Sequence, residues 1–146
     1  MKRLIPMCVA VLVAAATLSM AAPSYAAKGG INRPFFAVGS FVCTDQGCQG
    51  GSGWATHLGR FTMANDEGVL TAANGDQLAS VLDWSTIQVT IPGEFPCTPN
   101  EFRVRLSAAF AGGTGRFAHA GGNYTLTLCS SDESHYRFFD VGAINY

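Results

Sequence analysis

Charge is scarce in this chain: Asp, Glu, Lys and Arg make up only 13% of its 146 residues. Beyond Lys2-Arg3 the basic side chains form no cluster, and Arg33, Arg60, Arg103, Arg105, Arg116 and Arg137 stand singly. Phosphate binding needs grouped cations, so the scatter argues against a nucleic-acid partner and against an anionic membrane surface. There is no internal repeat, no heptad and no low-complexity tract. Signature motifs are missing as well. The chain has no Gly-x-Ser-x-Gly elbow and no His-Glu-x-x-His pair, and the Lys of a phosphate-binding loop is absent from its Gly-rich segment.

What is present begins with a leader. Lys2-Arg3 supply a positive start, an apolar run follows that is densest from Val9 to Leu18, and Ser24-Tyr25-Ala26 offers small side chains at the two positions a signal peptidase reads. That is the three-part layout of a secretory signal, with an apolar core short for a membrane span. The expectation is a cleaved signal at residues 1–26 and one domain at 27–146, secreted or periplasmic. About 120 residues suffice for a single core. Loss of Lys2 and Arg3 leaves seven basic side chains against ten acidic ones, moving the formal charge from −1 to −3.

Cys8 would leave with the leader. Lipid attachment there is disfavoured, because Pro6-Met7 lacks small residues and Cys8 precedes the apolar core. Cys43, Cys48, Cys97 and Cys129 remain, an even count that reads as two disulfides with three possible connectivities.

From Phe35 onward apolar side chains recur at spacing two. The alternation is clean in Glu101–Ala108 and repeats in Thr86–Ile91 and Asn123–Leu128, as in strands with one wet and one buried face. Further strands are expected around Phe35–Val42, Trp54–Met63, Val69–Ala72, Gln77–Leu82 and His135–Ile144. Turn residues separate them at Asp45-Gln46-Gly47, Gly50-Gly51-Ser52-Gly53, Asn65-Asp66-Glu67-Gly68, Asn74-Gly75-Asp76, Pro92-Gly93 and Gly112-Gly113. About eight strands without a convincing helix indicate an all-β closed barrel or sandwich. Phe117–Ala120 is the one place for a helical turn. Reading Glu101–Phe110 and Asn123–Leu128 as a hairpin puts Cys97 and Cys129 at its open end. Cys97–Cys129 is therefore the preferred pairing, leaving Cys43–Cys48 to close a small loop.

Three segments carry a family pattern: Gly53–Thr62, Asn74–Leu78, and Gly112-Gly113-Thr114-Gly115-Arg116-Phe117-Ala118-His119-Ala120-Gly121-Gly122, with Gly142–Tyr146 at the end. Together they resemble the small secreted bacterial proteins grouped with the allene oxide cyclase barrel-like fold. The resemblance implies a single antiparallel eight-stranded barrel of lipocalin-like shape. It brings no activity, because none of the plant cyclases' catalytic residues can be placed on this chain.

Each candidate polar residue also has a plainer role. The glycines at Gly112–Gly115 suit a tight reversal, with Arg116 reaching back to carbonyls or a carboxylate. His57, His119 and His135 lack close ligand spacing, so no metal site is expected. If Trp54–Met63 were one strand, His57 and Arg60 would point to opposite faces. Asp66-Glu67 and Asp132-Glu133 fall in turns. Asp83, beside Trp84, is the acid in an apolar setting. Facing inward it could serve as a general acid, but the favoured role is starting a turn and accepting backbone N–H bonds. Of sixteen aromatics in all, ten lie in or beside the expected strands: Phe35, Phe36, Phe41, Trp54, Phe61, Trp84, Phe102, Tyr124, Phe138 and Phe139. They suit either a filled barrel or an apolar surface patch.

The functional expectation is a non-catalytic module, without cofactor, binding a small apolar ligand or a surface partner. An isomerase or cyclase acting on an apolar substrate is the first alternative. A small outer-membrane barrel is the second, faintly suggested by Ile144 and a terminal Tyr146.

Overall fold

The structure, a computed structural model, describes residues 30–64, 68–91 and 94–146. The expected leader with Cys8, the acidic pair Asp66-Glu67 and the Pro92-Gly93 turn lie outside the described residues. The rest is a closed antiparallel barrel of eight strands in sequential order. These are β1 (Arg33–Thr44), β2 (Gly47–Ala55), β3 (Gly59–Met63), β4 (Val69–Ala72), β5 (Gln77–Thr90), β6 (Phe102–Gly113), β7 (Gly121–Ser130) and β8 (His135–Asn145). A 3-10 turn, Gly115–Phe117, lies between β6 and β7. Among the described residues no helix is long and apolar enough to cross a membrane.

The expected total of eight strands is met by a different division of the chain. Trp54–Met63 is two strands, because the chain reverses at Thr56–Leu58, where His57 adopts a φ of 71° and Gly59 one of 72°. The alternation argument for His57 and Arg60 therefore fails, since they do not share a strand. Conversely, Gln77–Leu82 and most of Thr86–Ile91 belong to one strand, β5, which ends at Thr90 and whose register to β6 slips between Asp83 and Gln88. Gly50–Gly53, read as a turn, lies inside β2.

That last strand has a packing reason. Gly39 pairs with both Gly53 and Phe138, and Gly53 pairs with Phe61. A Cβ on Gly53 would sit 2.8 Å from Cζ of Phe61, and one on Gly39 would run into the Phe138 ring. Glycine in these strands makes room for large rings beside the backbone.

Period-two alternation divides each strand between wall and interior. On β8, Phe138, Asp140 and Ile144 face in and are buried, while His135, Arg137 and Val141 face out. On β6, Leu106, Ala108 and Phe110 face in, and Arg105 and Ser107 face out.

The barrel has two unlike ends. The lower end, where β1 begins and β8 finishes, is sealed by Phe117, Ala120 and Leu58, all buried. Phe117 packs edge-on against Tyr146 at 5.2 Å. Thr114 pins this seal to β5: its N–H donates to the Gln77 carbonyl, and its Oγ1 accepts from Gln77 N–H, both at 2.9 Å. The upper end carries both disulfides, in the preferred pairing. Cys43–Cys48 bridges directly across the β1–β2 hairpin, and Cys97–Cys129 ties the β5–β6 connection to β7. Arg137 bonds both Glu101 oxygens, at 2.9 and 2.7 Å, and Arg103 meets Glu94 at 2.9 Å.

Candidate functional site

The interior is occupied largely by rings. Phe35 and Phe110 meet edge to face at 4.8 Å, and Phe110 stacks on Tyr124 at 4.9 Å. Higher up, Phe138 lies between Phe61 and Phe41, and Phe41 stacks on Tyr136 at 5.2 Å. Two polar groups interrupt this filling. Tyr124 donates its hydroxyl to Ser80 Oγ at 2.8 Å, and Ser80 in turn donates to the Gly68 carbonyl at 3.1 Å. That chain satisfies the phenol and ends at backbone.

Asp140 is different. Its side chain is 4% exposed, its lateral neighbours Ala37 and Leu126 are apolar, and Oδ1 has no hydrogen-bond partner. Burial disfavours the carboxylate and pushes the Asp140 pKa up to about 8. The Tyr124 phenol is raised too, first by its own burial and then by the charge on Asp140. At neutral pH Asp140 therefore stands mainly as a neutral acid inside the barrel. This acid went unnoticed in the sequence, although the signal existed. Asp140 shares the period-two face of Phe138 and Ile144, which marks it as inward once that face is known to be the buried one.

The residues singled out from the sequence take plainer positions. Asp83 is exposed, and its Oδ1 accepts from Ser85 N–H at 3.1 Å and from the Ser85 hydroxyl at 2.6 Å. It is a turn acceptor, as favoured. His57 Nε2 lies 2.9 Å from the Pro34 carbonyl, an arrangement in which Nε2 carries the proton and donates. His135 Nδ1 meets Asp132 Oδ2 at 2.8 Å, and His119 is exposed beside the lower seal. Backbone N–H groups of His135 and Ser134, with the His135 ring, hold the Asp132 carboxyl well below the usual carboxylate range. The histidines stay apart, and no metal-binding group of His, Cys, Asp or Glu occurs among the described residues. Arg116 reaches Asp76 at 3.5 Å and lies over the Phe117 ring, so the Gly-rich segment is a pinned crossover.

The concavities lie elsewhere. A shallow groove of about 700 Å³ runs along the outer wall between Val81, Ser107, Ala109, Asn123, Thr125 and Val141. A second, of about 670 Å³, lies by Trp54, Arg60 and Thr71 on the wall of β2–β4.

The strongest surface feature is the upper part of β5. Of the exposed large hydrophobic side chains among the described residues, Val81, Trp84, Ile87, Val89, Ile91 and Phe95 fall within one 15-residue stretch. β4 pairs only with Gln77–Ala79, so beyond Ser80, whose N–H bonds to Gly68, β5 runs with no partner strand on that side among the described residues. Trp84–Ile87 have no ladder partner toward β6 either. Thr86 Oγ1 instead accepts from Ser107 N–H at 2.8 Å and donates to the Asp83 carbonyl at 2.7 Å. Among the described residues, the chain at this point is an apolar lobe on an unpaired sheet edge.

Comparison of the chain with protein-family models, with curated proteins and with solved structures finds no match in any of the three.

Proposed function

We propose that this protein is an exported, non-catalytic β-barrel that binds an apolar partner along the upper part of β5. The observation that carries the reading is the concentration of exposed apolar side chains Val81, Trp84, Ile87 and Val89 on a strand whose neighbour stops short, with Ile91 and Phe95 just beyond it. Contiguous apolar exposure of this kind marks interaction surfaces. Of the two expected modes, a surface partner and a small ligand inside the barrel, the rings that fill the interior favour the surface. Both disulfides suit an oxidising compartment, and the signal-like first 26 residues support an address in a periplasm or outside the cell. The segments Gly53–Thr62, Asn74–Leu78 and Gly112–Gly122 support grouping it with the allene oxide cyclase barrel-like proteins.

The test is titration of the exported chain with an environment-sensitive apolar dye. Saturable binding is expected, strongly weakened in Trp84→Lys and unchanged in Trp54→Lys, a comparably exposed substitution on β2. Equal weakening in both variants, or an absence of saturable binding, would refute the reading.

A second reading, an isomerase-like enzyme, draws on Asp140 alone, a neutral buried acid able to donate or accept a proton. Against it, both grooves described above lie on the outer wall, and Asp140 is only 4% exposed, between Ala37 and Leu126. The outer-membrane alternative is weakened by β3 and β4, whose five and four residues fall below the nine to eleven or so that a spanning strand needs. Arg60, Arg105 and Arg137 on the barrel wall weigh the same way.

A further inference from the structure

We propose that the apolar partner of β5 is the β5 of a second copy, the two strands pairing antiparallel about a two-fold axis. This rests on the reading of β5 as the binding surface and adds the identity of what covers it.

The free edge itself states the chemistry. A strand edge offers a row of backbone N–H and C=O groups, and what satisfies such a row is another extended chain. Proteins that keep an edge single usually place Lys or Pro on it. From Gln77 to Ile91 the strand has neither, and Asp83 is its only charge. The stretch Trp84-Ser85-Thr86-Ile87-Gln88-Val89-Thr90-Ile91 carries no charge at all, so two copies can approach without like charges meeting along it.

Self-pairing fits for three reasons. First, the upper edge is long: β5 has 14 residues and β4 only four, which leaves most of β5 without a partner strand on one side among the described residues. Second, an antiparallel pairing of one segment with itself is isologous and closes at two copies, so it caps both edges without propagating into a fibre. Third, the apolar area is of the right order. The four exposed apolar side chains of β5, with Ile91 and Phe95 just beyond it, present on the order of 600 Å² per copy, so covering them fully in both copies would reach about 1,200 Å², the lower bound of a stable interface. The lobe at Trp84–Ile87 does not prevent pairing, because the register to β6 is regular again from Gln88 to Thr90.

The test is sedimentation velocity of the exported chain with both disulfides intact, over a wide concentration range. The expected result is a monomer–dimer equilibrium. Ile87→Lys should weaken it by roughly tenfold or more, since the lysines of the two copies would be brought together near the axis. Trp54→Lys, a comparably exposed change on β2, should leave it unaltered. Amide exchange provides a second measurement independent of any variant: protection of β5 amides should rise with protein concentration, and protection of β7 amides should not. A wild-type chain that stays monomeric, or an Ile87→Lys chain that is folded and still dimeric, overturns the proposal. Should Ile87→Lys fail to fold, concentration-independent protection of β5 overturns it instead. A monomer whose dye binding is still lost in Trp84→Lys would sink the self-pairing while leaving β5 as the binding surface; loss of both would sink the two together.

Discussion

The two ends of the barrel obey the same alternation and reach opposite outcomes. At the lower end the inward side chains Phe35, Phe110 and Ile144 are almost wholly buried. At the upper end Phe41, Met63, Leu82, Val104, Leu128 and Tyr136 also face in, yet are only half-buried. The lower end is closed by packing, with Phe117 as its plug and Thr114 holding that plug to β5. The upper end is closed by bonds, two disulfides and the pairs Arg137–Glu101 and Arg103–Glu94, while its strands part from one another where β3 and β4 end. Periodicity thus decides which way a side chain points, and the tertiary arrangement decides whether anything lies there to cover it.

If packing dominates below, ring truncation should separate the two ends most sharply. Phe35→Ala should cost about 3–5 kcal/mol in chemical denaturation, the range for a buried ring that leaves a cavity. Phe41→Ala, in the half-buried upper interior, should cost clearly less. Equal costs would erase the distinction. The disulfides test the other half of the comparison. Replacing Cys97 and Cys129 with Ser should cost about 4 kcal/mol and replacing Cys43 and Cys48 about 2, because the larger loop constrains the unfolded chain more. Loss of either should raise amide exchange at the upper end before the lower. An order reversed between the two bridges would mean that native-state strain, and not loop size, governs them.

The smallest effect, per pH unit, concerns the acid between the two ends. Asp140 has a folded pKa raised to about 8, far above its ordinary value near 3.8. The folded state therefore holds this proton in a range where the unfolded chain has released it. Its contribution is fully present below about pH 4 and is lost as pH rises to about 8, with a slope of up to roughly 1.4 kcal/mol per pH unit. Glu101 opposes this only near its own acidic range, since hydrogen bonds from Arg137 lower its pKa. Stability should thus decline between pH 5 and 8. Asp140→Asn, which cannot ionise, should flatten that decline. A variant with an unchanged slope would place the pH dependence on another group.

Much of this was legible beforehand and some of it was not, for identifiable reasons. The strands β4, β6, β7 and β8 and the pairing Cys97–Cys129 follow from alternation and from the position of the cysteines at a hairpin's open end. β2 was hidden because Gly50–Gly53 has the composition of a turn; only the Phe61 and Phe138 rings lying against it explain glycines in a strand. The reversal at His57 was hidden because a non-glycine residue there takes a positive φ, which its residue type does not announce. Of the candidate site, the apolar residues of β5 were visible one by one. Their gathering on a free edge was not, because it depends on where β4 stops.

The sequence by itself determined the all-β class of fold, the two disulfides and the inward or outward sense of most side chains. These are local matters of period, turn chemistry and spacing. Which acid is buried, which strand lacks a neighbour and which inward side chains remain uncovered were decided only in the tertiary structure. Burial and pairing are properties of what lies opposite, and the residues opposite Asp140, Ala37 and Leu126, come from distant parts of the chain, while Trp84 has no ladder partner among the described residues.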